Sequence, residues 1–179
     1  KSAEKKIDKH IKNIDLMIDT PDMFSIDISI KKSSDSKKVM HNDIQSLLKE
    51  AKKIIQNNYL DKKIIHMIVK KFVFDEDEYF KIPDNQINYK FLTVELKFIC
   101  FSNKIWESLQ NLFKSNFIDI DNIYCSSYVR ASNCNLVFDN YKKKVILDIG
   151  HGRSAISIFD ENRILYYNML PVGGRHITK

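Results

Sequence analysis

Val145-Ile146-Leu147-Asp148-Ile149-Gly150-His151-Gly152-Arg153-Ser154 decides how this chain of 179 residues is read. A buried strand that ends in an aspartate and runs into alternating glycines carries exposed backbone amides around a tight bend. Such a bend suits a phosphate, and the Asp148 carboxylate can orient a metal ion or its water. The same residues also suit a plain hairpin turn in which Asp148 caps the strand end. Context speaks for the phosphate reading. Residues 145–149, 156–159 and 164–170 are three short apolar runs, read as a β-meander with turns at 150–154 and 160–162. Beyond them, Leu170-Pro171-Val172-Gly173-Gly174-Arg175-His176-Ile177-Thr178 places a Gly-Gly turn where a helix is expected to open.

Working upstream, residues 3–10 carry a weak helical pattern, and Ile14-Asp15-Leu16-Met17-Ile18 is an apolar run that reads as a buried strand. Phe24, Ile26, Ile28 and Ile30 alternate with polar residues as a half-buried strand requires. Residues 31–38 are Ser- and Lys-rich without an apolar residue, and read as a loop or domain boundary. Asn42 or Asp43 caps a helix whose stripe is Ile44, Leu47, Leu48, Ala51, Ile54 and Ile55. Residues 64–74 and 89–100 are rich in β-branched and aromatic side chains and read as strands, joined by an acidic segment and a turn at Pro83-Asp84-Asn85. A helix over 102–116, capped by Ser102 or Asn103, carries Ile105, Trp106, Leu109, Leu112 and Phe113. A short strand at 118–124 and a helix at 126–137 complete the reading.

Composition bounds the function. Hydrophobic residues at 44% and charged ones at 29% belong to a globular chain with a packed core. The formal charge of +6, from 29 Lys and Arg against 23 Asp and Glu, is spread along the whole length. No basic run is interleaved with aromatics, so a solvated surface is favoured over a nucleic-acid interface. Cys100, Cys125 and Cys134 form an odd set without metal-ligand spacing, which speaks against a disulfide framework or zinc site and suits a reducing cytoplasm. No apolar stretch reaches the roughly 20 residues that span a bilayer. Asp75-Glu76-Asp77-Glu78 reads as a solvated face rather than a metal site, and His66 and Trp106 as core or edge residues.

The D-x-G-x-G-x-S spacing resembles the second phosphate loop of the actin, sugar-kinase and chaperone ATPase superfamily, and the chain as a whole resembles FtsA, the actin-like bacterial cell-division family. That family carries a D-I-G-G-G-T loop, a hairpin and a segment close to I-P-x-G-G-x-x-I-T. Asp148 to Gly152 and Pro171 to Thr178 stand in those places. Upstream, Asn42-Asp43-Ile44 is similar to the family's acidic helix start, and His66-Met67-Ile68-Val69 to its H-x-I-P-like strand.

The resemblance implies an α+β fold: a two-layer helix-strand-strand-helix subdomain like FtsA 1C, with part of an RNase-H-like ATPase domain. Residues 1–38 would end subdomain 1A, 39–140 would be the 1C-like interaction subdomain, and 141–179 would begin 2A. It implies ATP and Mg as cofactors of the full-length protein, with Gly150, His151, Gly152, Arg153, Ser154, Gly173 and Gly174 at the nucleotide and Asp148 positioning metal-bound water. It implies FtsZ and late division proteins as partners, self-association through the 1C-like subdomain, and a place at the cytoplasmic face of the inner membrane at the division site, through a C-terminal helix beyond Lys179. His151 replaces the family's middle glycine, Arg153 its usual Thr, and Ala155 an acidic residue. The last loses a candidate for orienting the attacking water. Weak or absent hydrolysis is therefore expected of the intact protein. A chain with one loop and no adenosine pocket is expected to be inactive and to bind neither ATP nor metal by itself. An actin-like ATPase of another system, such as pilus assembly, and a basic nucleic-acid-binding domain are the alternatives.

Overall fold

The computed structural model describes residues 2–33, 41–83, 88–138 and 140–176. Its strands are arranged as three sheets among these residues. The largest is built on β5 (Phe91–Ser102), which pairs antiparallel with β2 (Phe24–Ser33) on one side and with β3 (Lys62–Phe74) on the other. A short β4 (Asp77–Tyr79) pairs with β3 at the outer edge. As the middle strand, β5 is covered on both faces, so it reads as a nearly continuous apolar run.

Alternate residues of β5 serve two cores. Leu92, Val94, Leu96, Phe98 and Cys100 face α2 (His41–Asn58), whose Ile44, Leu47, Ala51 and Ile55 are no more than 3% exposed. The stripe expected from the sequence is thus the helix face that closes the first core. Ile99 and Phe101 point the other way, into a second core with Met23, Cys125, Ala155 and Tyr167. The helix α3 (Asn103–Lys114) contributes Ile105, Trp106 and Leu109 to this second core. The helix-strand-strand-helix order is therefore present, with its two helices on opposite faces of the sheet. Ser102 stands at the N-cap of α3, as expected, but its side chain makes no capping bond.

The second core lies where the other two sheets meet. In one, β1 (Asn13–Ile18), which follows a short α1 (Ser2–Ile7), runs parallel to β6 (Asp119–Cys125). In the other, β7 (Lys143–Ile149), β8 (Ser154–Asp160) and β9 (Arg163–Leu170) form the expected meander, antiparallel and consecutive. The helix α4 (Ser126–Val137) lies between these sheets in the chain and occupies the range read from sequence.

Several expectations are corrected. Residues 31–33 continue β2, with Lys31, Lys32 and Ser33 opposite Thr93, Leu92 and Phe91. An edge ladder needs backbone groups rather than apolar side chains, and here the lysines are also used. Lys31 Nζ lies 4.0 Å above the Phe91 ring, and Lys32 Nζ is 2.7 Å from Asp43 Oδ1. Across the division expected at 38/39, β2 belongs to the sheet of β3 and β5, while β6, within 39–140, pairs with β1. Asn42 and Asp43 lie inside the first turn of α2 rather than before it. The strand β1 alternates half-buried Ile14, Leu16 and Ile18 with exposed residues, because one of its faces is open. Asp75, in the left-handed region at φ 56°, accepts the amides of Lys90 and Phe91 and so ties the β3–β4 turn to the start of β5. At Gly174–His176 the chain makes a 3-10 turn, and residues 177–179 lie outside the described residues, as do Asp84 and Asn85 of the expected turn. No helix of the described residues is long and apolar enough to cross a membrane.

Candidate functional site

Asp148, Gly150, His151, Gly152, Arg153 and Ser154 line one cleft of about 230 Å³, together with Asp19, Ser127 and Arg130. The bend after β7 closes on itself: the Gly150 amide donates to the Arg153 carbonyl at 2.8 Å. The carbonyls of Gly150 and His151 accept the amides of Gly174 and Arg175 at 2.8 and 2.9 Å, and Ser154 Oγ donates to the Val172 carbonyl at 2.7 Å. Gly173 and Gly174 therefore pack against the loop and are not among the residues that line the cleft. A Cβ at Gly173 would lie 2.5 Å from the Arg153 nitrogen and from the Gly150 oxygen, so the close approach of the two segments requires glycine there. Among the described residues, the amides of His151, Gly152 and Arg153 have no hydrogen-bond partner. Unpartnered amides at a tight bend are donors of the kind an anion takes.

The opposite wall of the cleft is charged. Asp19, just past the end of β1, accepts the Ser127 amide at 3.1 Å and Ser127 Oγ at 3.1 Å, which caps α4 from outside the helix. Cys125 Sγ lies 3.4 Å from Asp19 Oδ1 and 3.0 Å from Tyr167 Oη, and Ser127 Oγ is 2.8 Å from the same phenol oxygen. Burial pushes the Cys125 thiol and the Tyr167 phenol above their ordinary ranges, so both stay protonated at neutral pH. This network joins β1, β6, α4 and β9 at one point.

Two arginines complete the site. Arg130, from α4, donates Nε and Nη2 to Asp148 Oδ2 at 2.9 and 2.6 Å, and its Nη2 lies 3.5 Å from Asp19 Oδ2. Arg153 turns its guanidinium inward, donating to the Thr20 carbonyl and, at 2.6 Å, to the Met23 carbonyl. The loop is thereby tied to the β1–β2 connection. Asp148, expected to position metal-bound water, is instead held by Arg130, and that carboxylate oxygen as placed does not fit a hydrated Mg ion. The unpartnered loop amides are of the donor type that a phosphate oxygen accepts from.

Sequence reading brought the loop together and missed Asp19, Ser127 and Arg130. They lie up to 111 residues from their partners, and nothing in the weakly patterned α4 marks Arg130. His66 is half-buried, as expected, and its Nε2 accepts the Cys125 amide at 2.9 Å. Burial lowers its pKa to about 4, so the ring is neutral. Among the described residues no cluster of three or more His, Cys, Asp or Glu could hold a metal ion.

No family model matches the chain. It is 26% identical over 148 residues to the cell division protein FtsA of Bacillus subtilis (strain 168), a match covering 82% of this chain and 33% of that protein. The chain thus spans about a third of the length of the curated relative it matches. Among solved structures it is similar to the PilM-PilN type IV pilus biogenesis complex, with a TM-score of 0.55 and 10% identity, covering 87% of this chain and 42% of that one. The fold is α+β and actin-like.

Proposed function

We propose that this chain is part of a cell-division scaffold of the FtsA type, with the sheet carrying α2 as its interaction lobe. The likeness to a division protein over 148 residues carries this reading. Its glycine loop, meander and Gly-Gly buttress lie in one continuous stretch, in the order that the family motif requires. Recruitment rather than catalysis is the role that this site supports, since the Asp148 carboxylate is engaged by Arg130. FtsZ and late division proteins are the partners this reading assigns to the intact protein, with ATP at the unpartnered loop amides and the division site as its location.

A pilus-assembly scaffold is the second reading, favoured by the structural likeness to the pilus complex. The fold is common to both and does not separate them. Depleting the intact protein from its host does. The division reading expects long filaments with replicated, unpartitioned chromosomes. Cells of ordinary length that have lost their pili would transfer the chain to the second reading.

A further inference from the structure

Two carboxylates from different sheets converge on one nitrogen atom. Arg130 Nη2 is 2.6 Å from Asp148 Oδ2 and 3.5 Å from Asp19 Oδ2, and Nε adds a second bond to Asp148. The two acids are largely covered, at 24% and 25% exposed, while the arginine reaches them from the open side. Two carboxylates that share one cationic nitrogen repel each other once it is removed, and a pair of carboxylate oxygens is a ligand set that a divalent ion takes. Here the cation is part of the chain. A guanidinium keeps its charge at every physiological pH, and its planar donors satisfy carboxylate oxygens directionally. Asp19 has no freedom to turn away, because the Ser127 amide and hydroxyl hold it.

We propose that Arg130 is the resident cation of this cleft, standing where the Asp19 and Asp148 carboxylates would otherwise hold a divalent ion, so that the site is closed to divalent metal while Arg130 is present. This rests on the cleft geometry and is independent of the division-scaffold reading. It makes metal dependence a property of one residue on α4 rather than of the phosphate loop. A chain of the same fold with a small neutral residue at this place would leave the same two carboxylates facing each other unneutralised.

The test titrates Mn²⁺ alone into the 179-residue chain and follows the free-ion signal by electron paramagnetic resonance. Wild type is expected to show no saturable binding that Asp148→Asn removes. Arg130→Gln is expected to gain a saturable site about tenfold or more tighter than any binding by wild type, with the two carboxylates as its ligands. Arg130→Gln combined with Asp148→Asn loses that site, and Arg130→Lys, which keeps a cation, behaves as wild type. Circular dichroism establishes that each variant is folded. Mn²⁺ binding by wild type that depends on Asp148 overturns the proposal, and so does a folded Arg130→Gln chain that gains no site. Should Arg130→Gln fail to fold, Arg130→Met takes its place, with the same two outcomes.

Discussion

Replacing Gly173 with alanine tests the loop architecture at its tightest point. An added Cβ would meet the Arg153 nitrogen and the Gly150 oxygen at 2.5 Å and the His151 oxygen at 2.7 Å, where ordinary contact begins at 3.4 Å. All three are backbone atoms, so no side chain can rotate away. Gly173 has no positive φ, and the effect is therefore one of space and not of backbone strain. Relief requires the segment to lift off the loop, which strains packing by about 1–3 kcal/mol and weakens two backbone bonds worth about 1 kcal/mol each. The expected loss is about 2–4 kcal/mol, and a chain of this size loses about 2–4 °C in melting temperature for each kcal/mol. Gly174→Ala is the control, since its Cβ would find nothing closer than the Gly150 oxygen at 3.8 Å. Urea unfolding and thermal melting of both variants read the difference. A Gly173→Ala chain as stable as Gly174→Ala would refute the reasoning.

Two further outcomes follow from the second core. Asp19→Ala removes the outside cap of α4 and leaves the Ser127 amide without its acceptor, so urea unfolding should show a loss of about 1–3 kcal/mol. Asp19→Asn keeps an acceptor and should recover at least half of it; equal stability of Asp19→Ala and wild type counts against the network. His66 supplies a pH dependence. Its folded pKa of about 4 lies below the ordinary 6.5, so the unfolded chain takes up the proton first. The associated stability is complete above pH 6.5 and is lost as pH falls toward 4, by about 1–2 kcal/mol once partial solvent contact is allowed for. His66→Gln, which retains an acceptor for the Cys125 amide, should flatten the urea midpoint between those pH values, and an unchanged slope would assign the dependence elsewhere.

What was legible in the sequence was local. The stripe of α2, the three runs of the meander and the range of α4 all follow from spacing within one element, where periodicity alone decides which side chains share a face. Pairing between distant segments left no such trace. The parallel ladder of β1 and β6 joins residues more than a hundred apart, and nothing in Asn13–Ile18 announces its partner. Lys31 to Ser33 were misread because their composition is that of a loop, while their structure is set by the length of β5 beside them. The site divides in the same way: the glycines marked the bend, but the charges facing it come from β1 and α4. Arg153 shows the limit from another side. Its position in the loop suggested a ligand contact, yet its guanidinium serves the carbonyls of Thr20 and Met23.

We propose that the intact protein works as a scaffold whose role does not pass through hydrolysis at the Asp148 loop. The most direct test replaces Asp148 with asparagine in the intact protein, in cells that lack the wild-type copy. Asparagine keeps an acceptor for Arg130 and removes the charge that metal chemistry would need. The scaffold account predicts cells that divide at ordinary length. Filaments like those of the depleted strain, with the variant folded and present at the wild-type level, would contradict it.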